Sequence, residues 1–139
     1  MSAARPLPEE FGPDAAEFWE GARLGEFRVL RCDRCDAVIW YPRAHCPTCG
    51  SREVTWSVRP APVTGVIYTF TVVRKHTHPF FAPRTPFVVA WVDVDDGPRL
   101  LTEVAGVDVD QVRVGDRVVL RWEEHESVKL PTFVPEVAV

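Results

Sequence analysis

The chain has 139 residues, is 46% hydrophobic and 26% charged, and carries a formal net charge of −4. That size and balance fit one ordinary globular domain or two very small ones, and they exclude a disordered chain. A mildly acidic protein is a poor partner for a polyanion, and no segment approaches the about 20 apolar residues of a membrane-spanning helix, so neither nucleic acid nor a membrane is expected.

The amino-terminal stretch "MSAARPLPEEFGP" has no continuous apolar run and does not read as a secretory signal, which predicts a cytoplasmic protein with reduced thiols. The first element is a helix in "GPDAAEFWEGARLGEF". Asp14 is the expected N-cap, Glu17 completes a capping box, and Gly25 supplies the carboxy-terminal stop. Phe18 and Trp19 share a face with Ala22. That stripe either packs on the chain's own core or docks on a partner.

Short strands are expected in "FRVLR" and "AVIWY", flanking Cys32 and Cys35, and in "VTWSV" after Cys46 and Cys49. These four cysteines form two C-x-x-C pairs separated by ten residues. Each C-x-x-C step makes a knuckle that turns two sulfurs toward one ion, and two knuckles joined by a hairpin close a tetrahedral thiolate site. Zinc is the expected metal; iron binds the same ligand set. A redox pair of the thioredoxin type needs a βαβ unit, and none is present. Four thiolates leave no open position for water, so the site reads as structural, with His45 surplus. From Glu26 to Arg59 six arginines face four acids, and this +2 surplus matches the −2 of a zinc–tetrathiolate cluster. The metal contributes on the order of 10 kcal/mol to folding a segment with so few apolar residues.

From Thr64 onward the pattern is strand and turn. "GVIYTFTVV" is one strand, and "PFVVAWVDVDDGPRLLTEV" is two strands around a turn at 95–98. "VRVGDRVVLRWEE" reads as two alternating stretches around Gly115–Asp116, and "TFVPEVAV" closes the sheet. About five strands in about 75 residues fit a Greek-key barrel of the OB type. The predicted fold is mainly β, with an amino-terminal segment and helix over 1–25, a rubredoxin-like zinc ribbon over 26–59 and a five-stranded OB-fold barrel over 60–139.

No nucleophile–base constellation or phosphate loop stands out, and Asp93, Asp95 and Asp96 read as solvated turn residues. The segment "RKHTHPFFAPRTP", 74–86, is different. A loop this long in a small barrel is unusual and often functional. Phe80 and Phe81 either fold back over the barrel end or form a contact surface.

The order of these pieces resembles a known family: stand-alone zinc-ribbon/OB-fold proteins associated with acyl-CoA enzymes, long called a domain of unknown function. The resemblance rests on "FWEGARLGEF", "RCDRC", "YPRAHCPTCGS", "GVIYTFTVV", "HPFFAPRTPFVVAWVDVDDGPRLLTEVAGVD" and "VRVGDRV". It implies a non-catalytic accessory subunit of a thiolase-superfamily enzyme (a thiolase, a CoA-thioester aldolase or an acyltransferase). Two copies of each chain suit a heterotetramer, with an enoyl-CoA hydratase as a further partner. It implies zinc at Cys32, Cys35, Cys46 and Cys49, and a CoA thioester held by the barrel in steroid side-chain or fatty-acid degradation. By loop position it points to Arg74, Lys75, Phe80 and Phe81 as ligand or partner contacts, and to Phe18 and Trp19 on a docking helix.

Two other readings compete. Zinc ribbons and OB folds also bind nucleic acid, yet from Pro60 onward eight Lys/Arg face eleven Asp/Glu. A free-standing enzyme needs a site that the motifs do not show.

Overall fold

The computed structural model describes residues 3–8 and 10–136. Met1, Ser2 and Glu9 lie outside them, as do residues 137–139 of the stretch expected to close the sheet. The helix α1 spans Ala16–Arg23. It begins later than its sequence suggests, with Ala15 as N-cap and no side-chain cap. The Gly12–Pro13 turn places the Ala15 N–H on the Gly12 carbonyl, and Glu17 turns away to bind Arg28 at 2.9 Å, so the Asp14–Glu17 capping box does not form. The other end follows the expectation. Gly25 has φ 74°, its N–H donates to the Ala22 carbonyl, and the Glu26 N–H donates to the Gly21 carbonyl. This pair of bonds is a Schellman stop, which glycine permits because it has no Cβ.

Three strands follow: β1 (Phe27–Cys32), β2 (Val38–Ile39) and β3 (Val54–Arg59). They form a sheet in the order β2-β1-β3, antiparallel throughout. The strands β4 (Thr64–Val73), β5 (Phe87–Val94), β6 (Arg99–Val104), β7 (Arg117–Glu124) and β8 (Lys129–Pro135) then close a barrel in the order β4-β5-β6-β8-β7. The β6–β8 pair is parallel and the others are antiparallel, which is the OB connectivity. Val112–Val114 does not form the strand expected before Gly115. The turn there is instead tied to β4, with the Gly115 N–H on the Ile67 carbonyl and the Ile67 N–H on the Asp116 carbonyl. Gly65 lies where β4 pairs with both β5 and β7, and a Cβ there would stand 2.6 Å from the Asp93 carbonyl oxygen.

The barrel is filled by Ile67, Val88, Val92, Val104, Val118 and Phe133. This core continues beyond the barrel, since Phe18 of α1 and Phe27 and Val29 of β1 belong to the same cluster. Phe18 is 3% exposed and meets Phe27 and Trp40 edge-on, so of its two expected roles the structure gives it the internal one. A polar staple also joins ribbon to barrel. Arg31 donates to the Asp96 carbonyl at 3.2 Å, and Arg59 lies 3.6 Å from the Asp96 carboxylate. The acids of this turn stay in contact with solvent as expected, Asp96 with its side chain 85% exposed, and each is also ion-paired. Arg99 binds Asp93, and Asp95 accepts from Arg117 and from Thr64.

Candidate functional site

The two knuckles are built alike. After each pair one residue takes a left-handed turn, Asp36 at φ 63° and Gly50 at φ 78°. Its N–H donates back to the carbonyl of the first cysteine of the pair, Cys32 or Cys46. The N–H groups of Arg34 and Cys35 point at the Cys32 sulfur, and that of Thr48 points at the Cys46 sulfur, each at 3.4 Å. The four Sγ atoms lie within 4.8 Å of one another, with Cys32–Cys49 and Cys35–Cys46 both at 3.6 Å. A tetrahedral metal with bonds of about 2.3 Å needs sulfurs about 3.8 Å apart. The donor set fits zinc in a closed, structural site.

The four sulfurs lie close enough to shift one another's proton affinity. The Cys49 N–H holds the Cys46 thiol down, to about 6, against burial, and the Cys35 N–H likewise lowers Cys32. The Ala37 N–H favours a Cys35 thiolate, but burial and the neighbouring thiols prevail and push it up to about 12. Four adjacent thiolates repel one another, and a divalent cation reverses that balance. The local arginines do less for the cluster than their count suggests. Arg28 is bound by Glu17 and Glu26, while Arg31 and Arg59 serve Asp96.

The second feature is a cavity of about 540 Å³ where helix, ribbon and barrel meet. The outer face of β5 and β6 contributes Phe87, Val89, Leu101 and Glu103, the ribbon Trp40–Pro42, and α1 Phe18 and Trp19. Phe81 closes it from the long loop. This is the face that OB folds use for ligands: the second and third barrel strands together with the loop between the first and second. The Trp40 indole N–H is buried without an acceptor among the described residues.

The 74–86 loop is ordered by its own histidines. The His76 Nδ1 accepts the His78 N–H, and the His78 Nδ1 accepts the Phe80 N–H, both at 3.0 Å. Phe80 and Phe81 stack edge-on at 5.0 Å, and Phe81 meets Phe87 at 5.9 Å. Of the expected loop contacts, Phe81 lines the cavity and Phe80 stands behind it, whereas Arg74 is exposed against Asp110 and Lys75 faces solvent. Trp19 lines the cavity and stacks on Phe11 at 4.8 Å. The sequence reading missed Arg5. Its side chain is only 15% exposed, lies 3.6 Å from Glu103 and 3.5 Å from Glu123, and stands over the Phe80 and Phe81 rings.

Two family models match this chain: the rubredoxin-like zinc ribbon domain of ChsH2 over residues 19–55, and the C-terminal OB-fold domain of ChsH2 over residues 58–123. A solved chain described as Ltp2-ChsH2(DUF35) aldolase is 34% identical, superposes with a TM-score of 0.81, and is covered completely by 96% of this chain. The chain belongs to the DUF35/ChsH2 family. Among curated relatives, a probable enoyl-CoA hydratase alpha subunit of Thermomonospora curvata is 35% identical over 136 residues, which is 97% of this chain and 41% of that protein. The 3-oxo-4,17-pregnadiene-20-carboxyl-CoA hydratase alpha subunit of Mycobacterium tuberculosis is 28% identical over 148 residues, which is 94% of this chain and 43% of that protein. The chain thus spans less than half the length of these two relatives.

Proposed function

We propose that this chain is a non-catalytic accessory subunit that docks on a thiolase-superfamily enzyme and helps hold its acyl-CoA intermediate. The observation that carries the reading is the end-to-end match to a chain of the Ltp2-ChsH2(DUF35) aldolase. The chemistry of the site supports it. Four cysteines saturate the metal, and the Nδ1 atoms of His76 and His78 already accept backbone N–H groups. The contact between His125 and Glu123 at 3.1 Å lies outside the cavity wall. The cavity offers a pantetheine or acyl chain an apolar bed without a nucleophile–base couple to act on it. The relatives named as CoA hydratase subunits support a CoA thioester as the ligand, and the pregnadiene name supports a steroid side chain as the acyl group. A heterotetramer with two copies of each chain, a further hydratase partner, Arg74, Lys75, Phe80 and Phe81 as ligand or partner contacts, and Trp19 on the docking helix complete the proposal.

The nucleic-acid reading gains nothing from the geometry. The OB ligand face is apolar, and the charges beside it are Glu103 and Glu123, each already ion-paired with Arg5. Affinity purification from native cells tests the proposal. The tagged chain should recover a thiolase-superfamily protein in equal amount, and should show no thioesterase or retro-aldol activity alone. Recovery of no such protein, or turnover by the isolated chain, sinks it.

A further inference from the structure

We propose that the cavity is a binding site for an uncharged, apolar group, gated by the Arg5 segment, so that it takes the acyl end of a CoA thioester and leaves the nucleotide outside. Only the name of the ligand rests on the accessory-subunit reading; the selectivity follows from the walls. At about 540 Å³ the cavity falls within the about 300–1,000 Å³ typical of small-molecule sites. Its apolar surface comes from all three parts of the chain, with Trp19 from the helix, Tyr41 from the ribbon and Leu101 from the barrel.

The charged groups of the wall and its two threonine hydroxyls already have partners, and the Trp40 indole N–H, without an acceptor among the described residues, is a neutral donor. The Thr102 hydroxyl donates to the Pro131 carbonyl at 3.1 Å, and the Thr132 hydroxyl to Glu123 at 3.4 Å. Glu103 has Arg5 at 3.6 Å and Arg84 at 3.7 Å, while Glu123 shares Arg5. These two acids and two guanidiniums sum to zero. A ligand charge entering here would lose its water and find no free countercharge, which is costly in apolar surroundings. A phosphate or carboxylate is therefore rejected, and an alkyl or ring system is accepted.

Arg5 is the gate. Residues 3–8 form no helix or strand, and Arg5 holds them to the loop that carries Phe81 and to the strands that carry Glu103 and Glu123. One side chain thus bridges two walls of the cavity, and its release frees the segment without breaking any sheet pairing.

Two dyes with the same ring system test both halves. N-phenyl-1-naphthylamine is uncharged; 8-anilino-1-naphthalenesulfonate adds one sulfonate. With the zinc-loaded full chain, the uncharged dye should bind saturably and quench Trp19 and Trp40, and the sulfonate should bind at least about tenfold more weakly. Leu101→Glu and Tyr41→Glu place a charge on the wall at positions that are 48% and 54% exposed, where the fold tolerates it. Each should weaken the uncharged dye about tenfold with zinc content and Tm unchanged. Arg5→Ala should speed association of the uncharged dye, and Arg5→Lys should restore the slow rate in part. Equal affinity for the two dyes, no saturable binding, or indifference to both wall charges overturns the site, and an unchanged association rate in Arg5→Ala overturns the gate. Failed dye binding with the thiolase-type partner still recovered removes this inference alone; a lost partner with dye binding intact removes the accessory-subunit reading alone.

Discussion

The ribbon and the barrel solve the same problem by opposite means. The barrel surrounds Phe133, Val88, Val92 and Val118 with five strands and excludes water by packing. The ribbon has its own small cluster of only Leu30, Cys32, Ile39 and Cys46, two of them metal ligands. A cluster that small does not offset the conformational entropy of ordering its loops, so the ribbon depends on its ion. Yet β1 belongs to both regions, because Phe27 and Val29 reach into the barrel core while Leu30 and Cys32 face the metal cluster. A metal held by the four cysteines would thus be a remote support for one wall of the cavity, since it would fix the hairpin that carries Trp40–Pro42.

Metal removal should give the largest effect and separate the two regions. Chelation should cost the ribbon on the order of 10 kcal/mol. Hydrogen exchange should then show lost protection in β1 and β3, with β5 and β7 still protected. Equal loss in both regions would show that the barrel has no stability of its own, and no loss would show that the ribbon needs no metal.

The complementary experiment empties the barrel. Phe133 is fully buried at the centre of its core. Phe133→Ala should cost about 3–5 kcal/mol, read as a fall in denaturant midpoint, while the metal stays bound. Loss of zinc in the same variant would mean that the regions fold as one unit. Gly65→Ala probes the barrel seam more gently. Its methyl would press on the Asp93 carbonyl, which β5 holds in place, so a loss of about 1–3 kcal/mol is expected without change at the cysteines.

Chemistry carried by local spacing was legible in the sequence. The four-cysteine cluster, the barrel strands and the helix stop at Gly25 all follow from residue types within a few positions of each other. What was hidden depends on long-range meeting. The Arg31–Asp96 and Arg59–Asp96 staple joins residues from two different sheets. The cavity wall draws on Arg5, Trp40, Leu101 and Leu130, and nothing in their local sequence announces a shared site. One signal was available. In "FVVAWVDV" the outward positions Phe87, Val89 and Trp91 are as apolar as the inward Val88, Ala90 and Val92, so the outer face of β5 had to be covered. The capping box failed for the converse reason, since its residues were present but a turn and an arginine had prior claims on them.

The smallest effect concerns the turn that the staple grips. Asp95 accepts two bonds from Arg117, at 3.1 and 2.6 Å, and one from Thr64 at 2.6 Å. The Arg117 guanidinium, with help from Thr64, holds its carboxyl down at about 2, against an ordinary value of 3.8. A carboxylate whose folded value is depressed adds stability above its unfolded value, and that stability fades as pH falls toward the folded one. The contribution should therefore be constant above about pH 5 and vanish between about pH 4 and 2. The side chain is 37% exposed, so solvent screens the pair and the gain should stay under about 1 kcal/mol. Comparing denaturant midpoints of the wild type and Asp95→Asn across this range checks the sign. The gap should close as the solution becomes acidic; a gap that persists unchanged at pH 2 would mean that Asp95 contributes through Thr64 and local shape, not through its charge. Because Asp96 next to it contacts Arg31 and Arg59, losing the Asp95 charge should also loosen the staple, and β3 amides near Arg59 should exchange faster in the variant at neutral pH while β7 beyond Arg117 stays protected.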